Sequence, residues 1–438
     1  MDEITLTLLF IFALFFLLGT GVWVGLSLIG VAMLGMMLFT NRPVGDAMGL
    51  TIWGASSSWT LTALPLFIWM GEILFRTRLS DNLFRGLAPW LRRLPGGLLH
   101  VNIAGCTLFA AISGSSAATV ATVGKISIPE LRSRKYPEHM IIGTLAGAGT
   151  LGLLIPPSII LIIYGVTINE SIAKLFIAGI LPGIMLALLF MGYIAGWSLY
   201  RRRDMPTHEN ELVSFADKIR STLQLIPVVL LITGVMGSIY FGIATATEAA
   251  VLGVIGALVI SALQKSLSWQ TFNEALMGAT RTSAMIALIL AGSAFLSLAM
   301  GFTGLPRALA SWIGELQLSP IHLIIALTFF YIILGCFLDG ISAVVLTMAV
   351  IEPLVRQAGF DMIWFGIFLV VVVEMAQITP PIGFNLFVLQ GMTGRDIDFI
   401  AKAAFPLFLI MIIAVALIVI FPDIALLLPE MMSNRPPG

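Results

Sequence analysis

Charge is scarce in this sequence, and so are the residues that usually carry metal or redox chemistry. Only 11% of the 438 residues are Asp, Glu, Lys or Arg, less than half of the roughly 25% typical of soluble globular domains. With 59% hydrophobic residues, a water-soluble core could not hide the apolar surface, so the chain belongs in lipid. The two cysteines, Cys106 and Cys336, stand apart in apolar surroundings and give neither a disulfide framework nor a metal site. The four histidines, His100, His139, His208 and His322, lack the His-Glu-x-x-His spacing of a zinc hydrolase, so enzyme activity is not expected. A formal net charge of zero gives no reason to expect a nucleic-acid partner. Before the first apolar run, Met1-Asp2-Glu3 holds no basic residue, which argues against a cleaved secretory signal.

Long apolar runs are what the sequence has instead. They reach about 20 residues, enough for a helix to cross a hydrocarbon layer of about 30 Å, and are too long for the alternating segments of a β-barrel. Ten crossings are expected, near 4–19, 22–40, 58–75, 138–168, 173–199, 221–241, 246–264, 277–299, 361–391 and 396–428. Two further stretches, about 97–130 and 318–356, are interrupted by Ser113-Gly114-Ser115-Ser116 and Asp339-Gly340-Ile341-Ser342, so each is two spans or one re-entrant hairpin. Charge favours hairpins. In that topology 18 of the 23 Lys and Arg share one side, and only Arg42, Lys174, Arg307, Arg356 and Arg435 fall opposite. Such a bias marks the first side as cytoplasm. It places both termini in the periplasm, with the first hairpin entering from the cytoplasm and the second from outside.

Pro129, Pro156, Pro157 and Pro182 recur at one constant offset as Pro353, Pro380, Pro381 and Pro406, and Arg132 recurs at that offset as Arg356. Prolines that merely kink membrane helices have no reason to keep one offset, so a duplication is expected: hairpin, proline, half-helix, Pro-Pro break, half-helix. Hairpins entering from opposite faces make the repeats inverted. Inverted repeats with broken helices are the pattern of secondary transporters, whose site lies near the midplane. The expected fold is therefore an all-α integral membrane protein with two re-entrant hairpins and two broken helices. Its parts are scaffold helices with a cytoplasmic interfacial arm (1–96), a first transport repeat (97–182), scaffold helices with an outer arm (183–317), a second transport repeat (318–406) and a C-terminal helix and tail (407–438).

Backbone chemistry says why the breaks bind something. Proline lacks an N–H and blocks the carbonyl four residues back, so Pro156-Pro157 and Pro380-Pro381 free carbonyl oxygens at a depth where unsatisfied groups cost several kcal/mol each. Sodium, a hard cation, suits those carbonyls together with the hydroxyls of Ser113, Ser115, Ser116 and Thr379. Half-helix N-termini beyond each break favour an anion. Small residues also let helices pack closely, but the place of Ser113–Ser116 opposite a Pro-Pro break favours binding.

Four acids, Asp339, Glu72, Glu248 and Glu374, stand in or beside apolar runs, where ionised groups are usually functional. Asp339 can cap the second hairpin's outer arm or add charge to a cation site. Glu72 and Glu248 fall near span ends. Arg85, Arg92 and Arg93 with Leu83, Phe84, Leu87, Trp90 and Leu91 read as an amphipathic interfacial helix over about 80–93, with an outer counterpart at 305–316 carrying Trp312.

The segments Ala63–Glu72, Ser113–Gly124, Leu154–Ser158, Phe241–Ala249 and Gly335–Gly340 resemble the large membrane subunit of tripartite ATP-independent periplasmic (TRAP) transporters, a likeness covering nearly the whole chain. The resemblance implies sodium-coupled uptake of a carboxylate or sulfonate with no cofactor beyond sodium ions. It also implies a small Q-type membrane subunit, a soluble periplasmic binding protein that delivers the substrate, and an elevator in which the transport domain moves against the scaffold. By symmetry it assigns one sodium site to Ser113, Gly114, Ser115, Ser116, Gly152, Leu154 and Pro156, and another to Gly340, Ser342, Thr379, Pro380 and Gly383. Substrate contact falls to Ser115, Ser116, Thr379 and Asn385, although Asn385 reads equally as a residue satisfied by neighbouring helices. The alternatives are an ion-coupled anion symporter or a channel working without a binding protein. An ATP-driven permease is disfavoured because Glu248-Ala249-Ala250, the segment like its coupling loop, falls outside.

Overall fold

The computed structural model describes residues 3–76, 86–206, 215–223, 225–303, 319–336, 338–381 and 383–433. Among them every regular element is a helix, as lipid demands of a backbone that must satisfy its own hydrogen bonds. Six helices are long and apolar enough to cross a membrane, or seven if Val44–Ser56 and Trp59–Phe75, inclined at 56°, form one span. Shorter apolar helices include Val24–Phe39, Leu99–Ser113, Ile226–Tyr240, Pro320–Gly335 and Met362–Ala376. Trp53, Trp59, Leu188, Leu230, Leu263 and Phe329 lie exposed, an outer surface suited to lipid rather than water.

Two helix pairs occupy the stretches expected as hairpins. The first joins Leu99–Ser113 to Ser116–Ser133, and the second joins Pro320–Gly335 to Gly340–Gln357. Each precedes a broken helix. Glu138–Gly149 and Leu151–Leu154 run to Pro156-Pro157, beyond which Ile159–Ile168 resumes, while Met362–Ala376 runs to Pro380-Pro381 and resumes as Phe384–Thr393. The helix starts at Ser116 and Gly340, and those at Glu138 and Met362, are separated by the same offset as the prolines.

Several sequence expectations need correction. Pro129, Pro353, Pro182 and Pro406 do not punctuate anything; they lie inside Ser116–Ser133, Gly340–Gln357, Ile172–Tyr200 and Ile397–Ile420. A single proline costs one hydrogen bond that neighbouring groups can replace, whereas the adjacent pairs interrupt the helix. The expected span 396–428 ends at Ile420 and restarts as Asp423–Ser433, because Pro422 intervenes. Val44–Ser56 was not expected as a helix; Gly45, Gly49, Gly54 and Asp46 dilute its apolar signal. The outer arm at 305–316 and residues 80–85 of the cytoplasmic arm fall outside the described residues. Residues 86–91 of that arm are helical, and Trp90 Nε1 donates to Thr222 Oγ1 at 2.8 Å with the Lys218 ammonium 5.7 Å above its ring.

Ion pairs tie the two halves together at the ends of the broken helices. Glu138 pairs with Arg132 and, at 2.7 Å, with Arg395 just past the second broken helix. Arg356, the counterpart of Arg132, pairs with Glu352 at 2.9 Å and with Glu170, just past the first broken helix, at 3.5 Å. Among the remaining helices, Trp269–Thr303 lies backbone to backbone on Val24–Phe39, for a Cβ on Gly292 would come 2.6 Å from the Gly25 carbonyl, the close approach that small residues permit.

Candidate functional site

The first hairpin turns where Gly114 takes a left-handed φ of 57°, a conformation glycine adopts without penalty. Ser115 then caps the outer arm by accepting the Ala118 N–H at 3.4 Å. Ser113 Oγ lies 2.9 Å from Thr119 Oγ1 and donates to the Ser115 carbonyl at 3.2 Å, so the tip is a closed network of hydroxyls. This tip presses directly into the first break. A Cβ on Gly114 would lie 3.0 Å from the Pro157 carbonyl, and one on Gly152 would lie 2.7 Å from both the Ser115 carbonyl oxygen and Ser116 Cα. Ser113–Ser116 and Gly152 therefore come together as the sequence suggested. Leu154 does not join them through its carbonyl, which packs against Gly179, and the Leu153 carbonyl accepts the Ser158 hydroxyl.

In the second hairpin Asp339 holds the N-cap position that Ser115 holds in the first, one repeat earlier. Its carboxylate accepts the N–H groups of Ile341 at 3.1 Å and Ser342 at 3.2 Å, and the Ser342 hydroxyl as well. Capping thus accounts for its place. The second tip reaches its break through Cys336, whose thiol donates to the Pro380 carbonyl at 3.3 Å. Gly340 rests on Val373, as Ser116, its counterpart, donates to the Gly149 carbonyl, and Val373 and Gly149 are repeat counterparts in their turn. Thr379 and Gly383 meet across the break, the Thr379 carbonyl lying 2.8 Å from a Cβ built on Gly383. Of the second group, Ser342 donates its hydroxyl to Asp339 and Gly340 packs on Val373. The Thr379 hydroxyl donates to the Met375 carbonyl at 2.7 Å, which leaves its lone pairs free to accept.

One contact joins the halves at the centre. Asn385 Nδ2 donates to Ser116 Oγ at 2.6 Å, and the Asn385 N–H donates to the Gln377 carbonyl at 3.1 Å. Two of the four substrate candidates thus touch, while Thr379 stands on the second break. Beside Ser116 sits Glu374, fully buried and with neither carboxylate oxygen in hydrogen-bond geometry to a described residue. Sequence reasoning gave it no role; its one signal was a carboxylate directly after the run Val370–Val373. The other two acids have plain partners. Glu72 pairs with Arg76 at 2.9 Å, and Glu248 closes a capping box with Thr245.

A helical, lipid-surfaced molecule interrupted at its centre by hairpin tips and Pro-Pro breaks is a multi-pass membrane protein built like a transporter. Residues 11–424 match the family described as tripartite ATP-independent periplasmic transporter, DctM component, and the chain belongs to that family. Curated relatives are named as transporter permeases, which makes this chain a transporter and not an enzyme. It is 32% identical to the C4-dicarboxylate TRAP transporter large permease protein DctM of Pseudomonas aeruginosa over 91% of this chain and 93% of that one. It is 29% identical to the sialic acid TRAP transporter large permease protein SiaM of Vibrio cholerae over 95% and 96%. The isethionate TRAP transporter permease protein DctMQ of Oleidesulfovibrio alaskensis is 31% identical over 94% of this chain and 64% of that longer one. At the level of fold alone, the crystal structure of the Alcanivorax borkumensis YdaH transporter matches 98% of both chains with a TM-score of 0.64 at 15% identity.

Proposed function

We propose that this permease takes up a small organic acid, a carboxylate or sulfonate, across the bacterial inner membrane by coupling to sodium. A soluble periplasmic protein delivers the substrate, and a small membrane subunit completes the assembly. The observation that carries this reading is the seating of the Ser113–Ser116 tip on the first break at Gly152, which gathers neutral oxygens without bringing in a basic side chain. Such a set suits a hard monovalent cation, and the half-helix N-termini beyond the breaks suit an anion. Relatives named for C4-dicarboxylates, sialic acid and isethionate support the substrate class. In this reading the hairpins and broken helices form a transport unit that moves as an elevator against the remaining helices. Uptake into vesicles with and without an imposed sodium gradient tests it: transport follows the gradient and needs no ATP, and uptake undiminished when choline replaces sodium ends the proposal.

The repeats are inverted in the same reading, with both termini in the periplasm. A cysteine placed at Arg134, past the first hairpin, is then labelled by an impermeant thiol reagent only from the cytoplasm, and one at Arg356 only from the periplasm. Labelling of both from one face removes the inversion and with it the symmetric placement of the sites.

A further inference from the structure

Glu374 lies in the last turn of Met362–Ala376, at the negative end of that helix. Its side chain is 0% exposed and both oxygens lack a partner among the described residues. Ser116 of the first hairpin adjoins it. The Ser116 hydroxyl faces the carboxylate but also donates to the Gly149 carbonyl and accepts from Asn385 Nδ2, so its single proton is contested between two acceptors. Asn385 Oδ1, the other end of that amide, is likewise buried and unpartnered. Three acceptor oxygens, two of Glu374 and one of Asn385, therefore have at most this one shared hydroxyl as a donor among the described residues. Gln377 Nε2, three residues on, is an unpartnered donor, but a neutral amide cannot balance a full negative charge removed from water. Among the described residues no cationic side chain does so either. Arg356 precedes the other end of that helix, near Met362 and roughly 18 Å away along its axis, and Lys402 and Arg395 are exposed.

We propose that Glu374, Asn385 Oδ1 and Ser116 Oγ form a further sodium site between the two halves, beyond the two assigned at the breaks and sharing Ser116 with the first of them. Sodium takes oxygen donors of mixed type, and here it supplies the positive charge that the carboxylate and the helix end both lack. The site is asymmetric. The repeat counterpart of Glu374 in the first half is Thr150, whose hydroxyl donates to the Gly147 carbonyl, so at this pair of positions only the second half carries a carboxylate. Both Ser116 and Asn385 are drawn to the ion from different repeats, which makes sodium a bond between the halves.

The proposal extends the sodium-coupled reading, and its test separates the two. In the purified full chain, carbodiimide labelling of Glu374 is followed by mass spectrometry in sodium chloride and in choline chloride. Sodium protects Glu374 and choline does not; equal labelling in both overturns the site. In parallel, Glu374→Gln and Glu374→Thr are melted across a sodium titration. Each raises the sodium midpoint of stabilisation at least about tenfold and melts no lower than wild type in choline, where the unbalanced carboxylate is gone. A carboxyl that is permanently protonated, or tied up by Gln377, instead leaves the sodium response of both variants unchanged, and that outcome also overturns the site. Sodium-dependent uptake with indifferent Glu374 labelling sinks this site alone. Protection of Glu374 in a protein whose uptake ignores sodium keeps the site and sinks the coupling.

Discussion

A single methyl group at position 152 weakens sodium-driven uptake on the scale expected for the loss of a liganding hydroxyl. A Cβ there meets the Ser115 carbonyl oxygen and Ser116 Cα at 2.7 Å and the Ser115 carbonyl carbon at 2.8 Å. All three belong to backbone, so no side chain can swing aside and the hairpin tip must lift from the break. Overpacking of this kind costs about 1–3 kcal/mol. Because the tip brings its oxygens as one unit, that cost falls on ion binding, and Gly152→Ala raises the half-saturating sodium concentration about 5- to 150-fold. Uptake against sodium concentration reads it directly. An unchanged curve at normal membrane abundance means that the tip does not hold the ion, and the first sodium site is then withdrawn.

Thr379→Val gives the second large effect. The valine keeps the shape of threonine, and the hydrogen bond it loses, from the hydroxyl to the Met375 carbonyl at 2.7 Å, lies within one helical turn. Loss of a polar contact to a charged group is worth about 1.5–3 kcal/mol, which places the sodium requirement about 10- to 150-fold higher. Ser115→Ala is expected to shift sodium dependence too, but it also removes the cap that accepts the Ala118 N–H, at about 0.5–2 kcal/mol, so part of its effect appears as lower melting temperature. Thr379→Val separates the roles. A variant that loses abundance while its sodium curve stays put assigns Thr379 to packing alone.

The parts of the molecule written in glycine, serine and proline are legible in the sequence. Ser113–Ser116 turns a hairpin and the two Pro-Pro pairs interrupt helices because these residue types dictate backbone behaviour locally. Isolated prolines misled for the converse reason: their cost is small enough for a neighbour to absorb, as at Pro129 and Pro182. Hydropathy averaged over a window also hid the interruption at Pro422 and the glycine-diluted helix Val44–Ser56. What no local pattern holds is the meeting of Asn385 with Ser116, which are 269 residues apart. The isolation of Glu374 is hidden in the same way, since it depends on every neighbour failing to supply a donor. Asp339 looked ambiguous because a cap and a cation ligand use the same carboxylate, and only the positions of Ile341 and Ser342 decide between them.

The ion pairs at the ends of the broken helices have a mechanical meaning under the elevator reading. Glu138 with Arg395 and Glu170 with Arg356 lace one repeat to the other at both mouths of the unit, so the halves cannot part like jaws without unfastening charge. In that reading the seam that slides is the one against the long helix Trp269–Thr303, where the Ser293 hydroxyl reaches the Val345 carbonyl at 2.8 Å and side chains such as Ile286, Ile289 and Leu296 are apolar and buried. Greasy contacts have no preferred direction and can be exchanged for others of equal worth at each step. Under the elevator reading, a stiff cassette in a slippery sleeve would carry its cargo without loosening its grip, and the friction of the journey would be set by the sleeve.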